Sequence, residues 1–279
     1  MRQFNDRTVV ITGAAGGIGL ALARRGATEG MRLVLADIDG ERLRAAAGEL
    51  QVPPERVCLC TTDVSREADV ARLADTAFAR FGAVHLLCNN AGVALTHLAW
   101  EHSIADWEWV LGVNLWGVVY GVRHFLPRLL AQKQESHVVN TASAAGLLST
   151  PGMAAYNVSK HGVVTLSETL YLELTAQKAQ VGVSVLCPAW VPTNIHRSER
   201  TRPQRYGAAK PASEAAQAYQ ARSDQAVKRG RLTADDMADA VFRAVAERRF
   251  YIVPHSKLMK AVRLRMDDIV ETRNPTPLA

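Results

Sequence analysis

The stretch Thr8-Val9-Val10-Ile11-Thr12-Gly13-Ala14-Ala15-Gly16-Gly17-Ile18-Gly19 decides the fold. Its first half is a short β-branched apolar run, the pattern of a strand covered on both faces. Its second half carries glycine at positions 13, 16, 17 and 19, and a helical pattern over Gly17–Glu29 follows at once. A strand that passes through a glycine turn into a helix opens a strand–helix–strand unit.

The same alternation extends along the chain. Strand-like runs fall at Thr8–Ile11, Leu33–Ala36, Val57–Cys60, His85–Cys88, His137–Asn140, Val183–Cys187 and Tyr251–Val253. Helical patterns lie between them at Glu41–Leu50, Glu67–Phe81, Ile104–Leu130, Ala155–Gln177 and Ala234–Glu247. Strands spaced by helices of this length predict an α/β protein with a seven-stranded, doubly wound parallel sheet in a single domain over residues 1–253. Two segments break the rhythm. Residues 193–230 form a polar insertion with a weak helical pattern around Ala212–Arg229, and a tail, 254–279, ends in the irregular Asn274-Pro275-Thr276-Pro277.

Composition narrows the function classes. Of 279 residues, 48% are hydrophobic and 22% charged, enough apolar material for a core without staples. Cys58, Cys60, Cys88 and Cys187 sit in apolar runs and read as free buried thiols, with no metal-ligand spacing around them. No metal site is expected. The polar start Met1–Asp6 carries no secretory pattern and no apolar run reaches membrane length, so a cytoplasmic protein with no membrane contact is expected. The net charge is +6, but 17 of the 33 basic residues follow position 195, mixed with acids and without a recognised module. Nucleic acid is therefore not an expected partner.

At the carboxyl end of the first strand, the glycines let bare backbone approach a pyrophosphate, and the helix N-terminus offers free N–H groups. The spacing is Gly-x-x-x-Gly-x-Gly, not the common Gly-x-Gly-x-x-Gly. The second strand ends at Asp37, 24 residues beyond Gly13, where a carboxylate accepts hydrogen bonds from ribose hydroxyls and repels a 2′-phosphate. That favours NAD over NADP as cofactor, although Arg42 lies close enough in sequence to keep NADP open as the alternative.

Tyr156 and Lys160 lie four apart on one helical face. An ammonium beside a phenol favours the phenolate and brings a poor base, with a free pKa of about 10, into working range. Ser143 ends the fifth strand, thirteen residues earlier, and Asn114 lies in Val113-Asn114-Leu115. Together, Thr12-Gly13-x-x-x-Gly17-Ile18-Gly19, Asn89-Asn90-Ala91-Gly92, Ser143 and Tyr156-x-x-x-Lys160 resemble the short-chain dehydrogenase/reductase family over about Asp6–Val253.

That resemblance implies a Rossmann-type oxidoreductase acting on a CH–OH group, moving hydride between NAD(H) and a secondary alcohol or ketone. It implies Tyr156 as acid/base, Ser143 on the substrate oxygen, Lys160 on the nicotinamide ribose and Asn114 holding a relay water. It implies cofactor contacts at Gly13, Gly17, Ile18, Gly19, Asp37, Asp63, Val64, Asn90, Tyr156, Lys160, Pro188, Val191 and Thr193. In Pro188-Ala189-Trp190-Val191-Pro192-Thr193 the chain departs from the family's Pro-Gly-x-Val-x-Thr, which puts the backbone at Ala189 in question. Trp190, with Leu147, Leu148 and Met153, is expected to shape an apolar or aromatic substrate pocket. The insertion's arginines are a solvated lid or a seat for an anionic substrate.

The resemblance also implies a homodimer or homotetramer through the two long helices. Gly112, Gly117 and Gly121 would allow close approach there, and Trp107, Trp109 and Trp116 would fill the interface or pack within one subunit. A non-catalytic cofactor-sensing protein on the same fold is the alternative from another class.

Overall fold

A computed structural model describes Met1 and residues 3–277. The strands are β1 (Thr8–Thr12), β2 (Arg32–Asp37), β3 (Val57–Thr61), β4 (Leu86–Asn89), β5 (Ser136–Thr141), β6 (Val181–Leu186) and β7 (Tyr251–Ile252). They form one parallel sheet in the order β3-β2-β1-β4-β5-β6-β7. The order reverses beside β1, so a crevice opens there at the carboxyl ends of the strands.

The helices among the described residues are α1 (Gly17–Thr28), α2 (Gly40–Gly48), α3 (Glu67–Phe81), α4 (Ile104–Leu111), α5 (Gly117–Ala131), α6 (Ala154–Ala176), α7 (Glu214–Lys228), α8 (Ala234–Glu247) and α9 (Leu258–Val270). Alternation along the strands divides the core. Val9, Ile11, Leu33 and Leu35 face one layer with α1 and α8, while Val10, Val34 and Ala36 face the other with α3, α5 and α6. Each residue of β1 is buried, as two covered faces require.

Three features depart from expectation. The long helix read over Ile104–Leu130 contains a π turn at Gly112–Trp116, closed by Gly117 N–H donating to Gly112 O. One extra residue there rotates everything beyond it, and hydrophobic periodicity does not register so small a slip. Helix α9 occupies the tail, where no helix was read: its apolar positions leave Met259, Met266, Ile269 and Val270 exposed, so no clear buried stripe marks it. The glycines of the long helix turn inward. A Cβ on Gly117 would meet Val64 Cγ2 at 2.9 Å, and one on Gly121 would meet Asn89 Oδ1 at 2.1 Å. Their smallness serves packing against this chain's own sheet. Trp109 is likewise fully buried in the subunit, and Trp116 is half exposed.

Candidate active site

The crevice beside β1 holds about 1240 Å³ of empty space, counting its open mouth. One bank is the glycine turn. Gly13 and Gly17 have φ of 69° and 53°, in the left-handed region that favours glycine. A Cβ on Gly19 would lie 2.0 Å from Gly13 O, so the close approach of turn to helix admits no side chain. No side chain caps α1, whereas Asp39 caps α2 by accepting from Arg42 N–H. The first N–H groups of α1 therefore face the crevice without a side-chain partner.

Asp37 reaches back to this turn. Its Oδ2 accepts from Ala15 N–H and its Oδ1 from Asp39 N–H, both at 3.0 Å. Each oxygen keeps a lone pair for a hydroxyl. Arg42 lines the same wall, 3.5 Å from where a Gly16 Cβ would sit. Thr12, which sequence reasoning passed over, organises the opposite edge. Its Oγ1 accepts from Asn90 N–H at 2.9 Å and Ala91 N–H at 3.1 Å, and Asn90 Nδ2 donates to Thr12 O at 3.0 Å. Asn90 thus ties β1 to β4.

Tyr156 and Lys160 form the floor. Lys160 is 2% exposed, and Nζ donates to Thr141 O at 2.8 Å. Burial brings its pKa down to about 8. Nζ lies 5.7 Å from the Tyr156 ring centroid. The expected lowering of the Tyr156 pKa is not found in this arrangement. Burial pushes the phenol up, and the Ser143 hydroxyl beside it offsets part of that rise. The reason is direction: the lysine spends its charge on a backbone carbonyl rather than on the phenol oxygen.

Asn114, on the π turn, is fully buried. Both of its Nδ2 hydrogens are used, on Val93 O at 2.9 Å and Ser159 Oγ at 3.0 Å, and Oδ1 accepts from Val93 N–H at 2.8 Å. Oδ1 keeps one further lone pair. The Ser143 hydroxyl lies beside the Tyr156 phenol, its Oγ accepting from Ala145 N–H at 3.1 Å.

Of the other residues read from sequence, Gly13, Gly17, Ile18, Asp37, Asp63, Val64, Asn90, Pro188 and Thr193 line the crevice. Val191 does not; it is buried in the core layer shared with α1 and α8. Trp190, 40% exposed, and Leu147, Leu148 and Met153 also lie outside the lining. The Trp190 carbonyl packs against Gly230, where a Cβ would come within 2.5 Å of it. Of residues 93–98, also a candidate wall in the sequence, Val93 lines the crevice, and Val113 lines it too. Ala189 adopts no left-handed conformation, and its N–H donates to His255 Nδ1 at 3.2 Å, so the turn does not need glycine.

The second bank is the insertion, and its anchors were not read from sequence. Arg202 Nη1 pairs with Asp106 Oδ1 at 2.7 Å, both side chains buried, and its guanidinium lies 5.0 Å from the Trp109 ring centroid. Burial pushes the Asp106 carboxyl up, but bonds from Ser103 and then Arg202 more than offset this and hold it below the ordinary range. Arg205 Nη2 donates to Asp63 Oδ2 and Ser65 Oγ, each at 2.7 Å. Ala94 N–H donates to Ser198 Oγ at 3.0 Å. Among the described residues, no three His, Cys, Asp or Glu side chains gather to hold a metal, and no helix is long and apolar enough to cross a membrane.

With this geometry in view, the comparisons are specific. The family model described as short chain dehydrogenase matches residues 7–204. A short-chain dehydrogenase/reductase from Burkholderia phymatum, crystallised in complex with NAD, is 48% identical, with a TM-score of 0.97 and full coverage of both chains. A CLA biosynthesis dehydrogenase/reductase from Lactiplantibacillus plantarum is 34% identical over 99% of this chain and 97% of its own. A 1-deoxy-11-beta-hydroxypentalenate dehydrogenase from Streptomyces exfoliatus is 36% identical over 96% of this chain and 90% of its own. The chain belongs to the short-chain dehydrogenase/reductase family. It is an oxidoreductase of that family.

Proposed function

We propose that the protein interconverts a secondary alcohol and its ketone with NAD(H), using Tyr156 as acid and base. One observation carries the reading: Tyr156 and Lys160 reach the floor of a crevice whose facing wall is the bare Gly13–Gly19 turn. The NAD complex of the Burkholderia protein and the hydroxyl-bearing substrate named for the Streptomyces relative support it.

When bound, NAD supplies the hydride acceptor. The glycine turn and the α1 N-terminus take the pyrophosphate, and Asp37 takes the ribose hydroxyls. Ser143 donates to the reacting oxygen and steadies charge that develops on it. Tyr156 removes the hydroxyl proton in oxidation and returns it in reduction. Lys160, with its pKa near 8, exchanges a proton close to neutrality. Asn114 fixes the backbone at Val93 and, through Ser159, the floor helix. Val93 and Val113 fit an apolar or aromatic substrate beside this centre. Copies of the chain pair through α5 and α6, where Trp116 and Leu172 are 50% and 66% exposed; sedimentation at equilibrium reads the resulting dimer or tetramer.

A screen of secondary alcohols with NAD, read by cofactor reduction at the nicotinamide band, tests the reading. Turnover in the native enzyme and its loss in Tyr156→Phe are expected; unchanged turnover in that variant would overturn it. Arg42 favours a second reading with NADP, because its guanidinium lines the wall beside Gly16. Binding of NADPH tenfold tighter than NADH would decide for it.

A further inference from the structure

Cys58 and Cys60 sit on the edge strand β3, outside the residues that line the crevice, and face the same side of the sheet. Both are half-buried, unlike the fully buried Cys88 and Cys187. This departs from the buried-thiol reading of the sequence, and the reason is topological: β3 closes the sheet, so one of its sides has no neighbouring strand. The two sulfurs lie 4.0 Å apart.

That distance selects among the things two thiols can do. A direct disulfide needs sulfurs at about 2.0 Å, and residues two apart in a strand have Cα atoms about 6.6 Å apart, near the upper limit for one. Joining them requires the strand to buckle. A single bridging atom is different. Two bonds of about 2.3 Å at the roughly 100° angle of a pyramidal centre span about 3.5 Å, within about half an ångström of the observed spacing and reached by small side-chain rotations. A zinc ion would also want further protein ligands, and no third His, Cys, Asp or Glu stands with the pair among the described residues. A soft centre satisfied by two sulfurs does not need one.

We propose that Cys58 and Cys60 form a dithiol site that captures a trivalent organoarsenical through one arsenic atom bridging the two sulfurs. An arsenoso oxygen leaves as water, R–As=O and two S–H giving R–As(S–)₂ and H₂O. Two As–S bonds form, the As=O bond breaks, both thiol protons go to the oxygen, and no oxidation occurs. The surroundings favour the first attack. The contact with Cys60, and then Arg80 nearby, bring the Cys58 thiol below its ordinary value against the opposing effect of burial, which favours thiolate there. Cys60 is pushed up, chiefly by that same contact and by burial, and remains the proton-bearing partner.

Phenylarsine oxide added to the native, folded protein tests the site. One equivalent is expected to add with loss of one water by intact mass, and peptide mapping places it on the segment holding Cys58 and Cys60. Excess monothiol leaves the adduct in place, and dimercaptopropanol removes it. In Cys58→Ser and in Cys60→Ser, retention against monothiol falls at least 100-fold, with native circular dichroism as the folding check. Peptide mapping of unaltered protein needs no variant. Mapping to Cys88 or Cys187, addition only after unfolding, or a monothiol-resistant adduct in either serine variant would overturn the proposal.

Discussion

The two banks of the crevice are built from different materials. The bank at β1 and α1 is backbone: positive φ at Gly13 and Gly17, a Gly19 contact with no room for a methyl group, and uncapped N–H groups. The bank formed by the insertion is side chain: Arg202 on Asp106, Arg205 on Asp63, and Ser198 on Ala94. Backbone geometry of this kind tolerates almost no substitution. Ion pairs grade their contribution by burial. The difference can be tested from either side, and the effects should fall in a definite order.

The largest effect belongs to the floor that both banks share. Tyr156→Phe should lower kcat/KM about 10³-fold, within the range for a lost general acid–base, while dinucleotide affinity measured by fluorescence titration stays within about twofold. Next comes the backbone bank. Gly19→Ala should weaken NADH binding about 100-fold, roughly 2.7 kcal/mol, because its Cβ meets Gly13 O rather than a side chain that can swing away. A variant that binds NADH normally would mean the turn is softer than its contacts indicate.

On the side-chain bank, Arg202→Met should be the costly change. It leaves Asp106 charged and buried without its partner, a loss of about 3–5 kcal/mol in the local stability of the insertion. Tryptic cleavage within 193–230 reads it as a rise of at least about 100-fold. The Asp106 carboxyl is held below its ordinary range, so its contribution is complete above the unfolded carboxylate pKa of about 3.9 and is lost as pH falls through the folded value. The insertion should therefore become protease-sensitive in acid before the sheet unfolds.

Lys160 reverses the usual expectation. Its pKa of about 8 lies below that of an unfolded lysine, about 10.4, so the unfolded chain holds the extra proton between those values. Stability from this group therefore rises with pH across that window, by on the order of 3 kcal/mol. Lys160→Met should flatten the rise and melt no lower than the native enzyme at pH 7, even as turnover falls. The smallest effect is at Arg205, whose side chain is 40% exposed. Arg205→Met should raise KM for NAD up to about fivefold, the scale of a solvent-screened pair. If Arg205 outweighed Arg202, burial would not be what ranks these anchors.

The same contrast explains what could be read from the sequence. The sheet and the glycine turn impose residue types at fixed local spacing, so Thr8–Gly19, Asp37 and the Tyr156/Lys160 pair stand out in a single chain. The insertion's anchors join residues far apart, Arg202 to Asp106 and Arg205 to Asp63, and nothing in either local stretch marks its partner. The backbone at Trp190 meets Gly230, forty residues later, a contact that no local pattern marks. The orientation of Lys160 toward Thr141 O was equally hidden, since four-residue spacing gives a shared face but not a target for the charge.

The span from Asp106 to Asp63 has a kinetic consequence. Arginines three residues apart fasten one segment like a strap to α4 and to the loop after β3, and its residues Arg200, Thr201 and Pro203 line the crevice. A dinucleotide held in the crevice against it would leave when at least one fastening opens. With saturating substrates, turnover should then follow strap opening rather than hydride transfer. A deuterium at the carbinol carbon would leave kcat nearly unchanged, and added viscosogen or salt would move it.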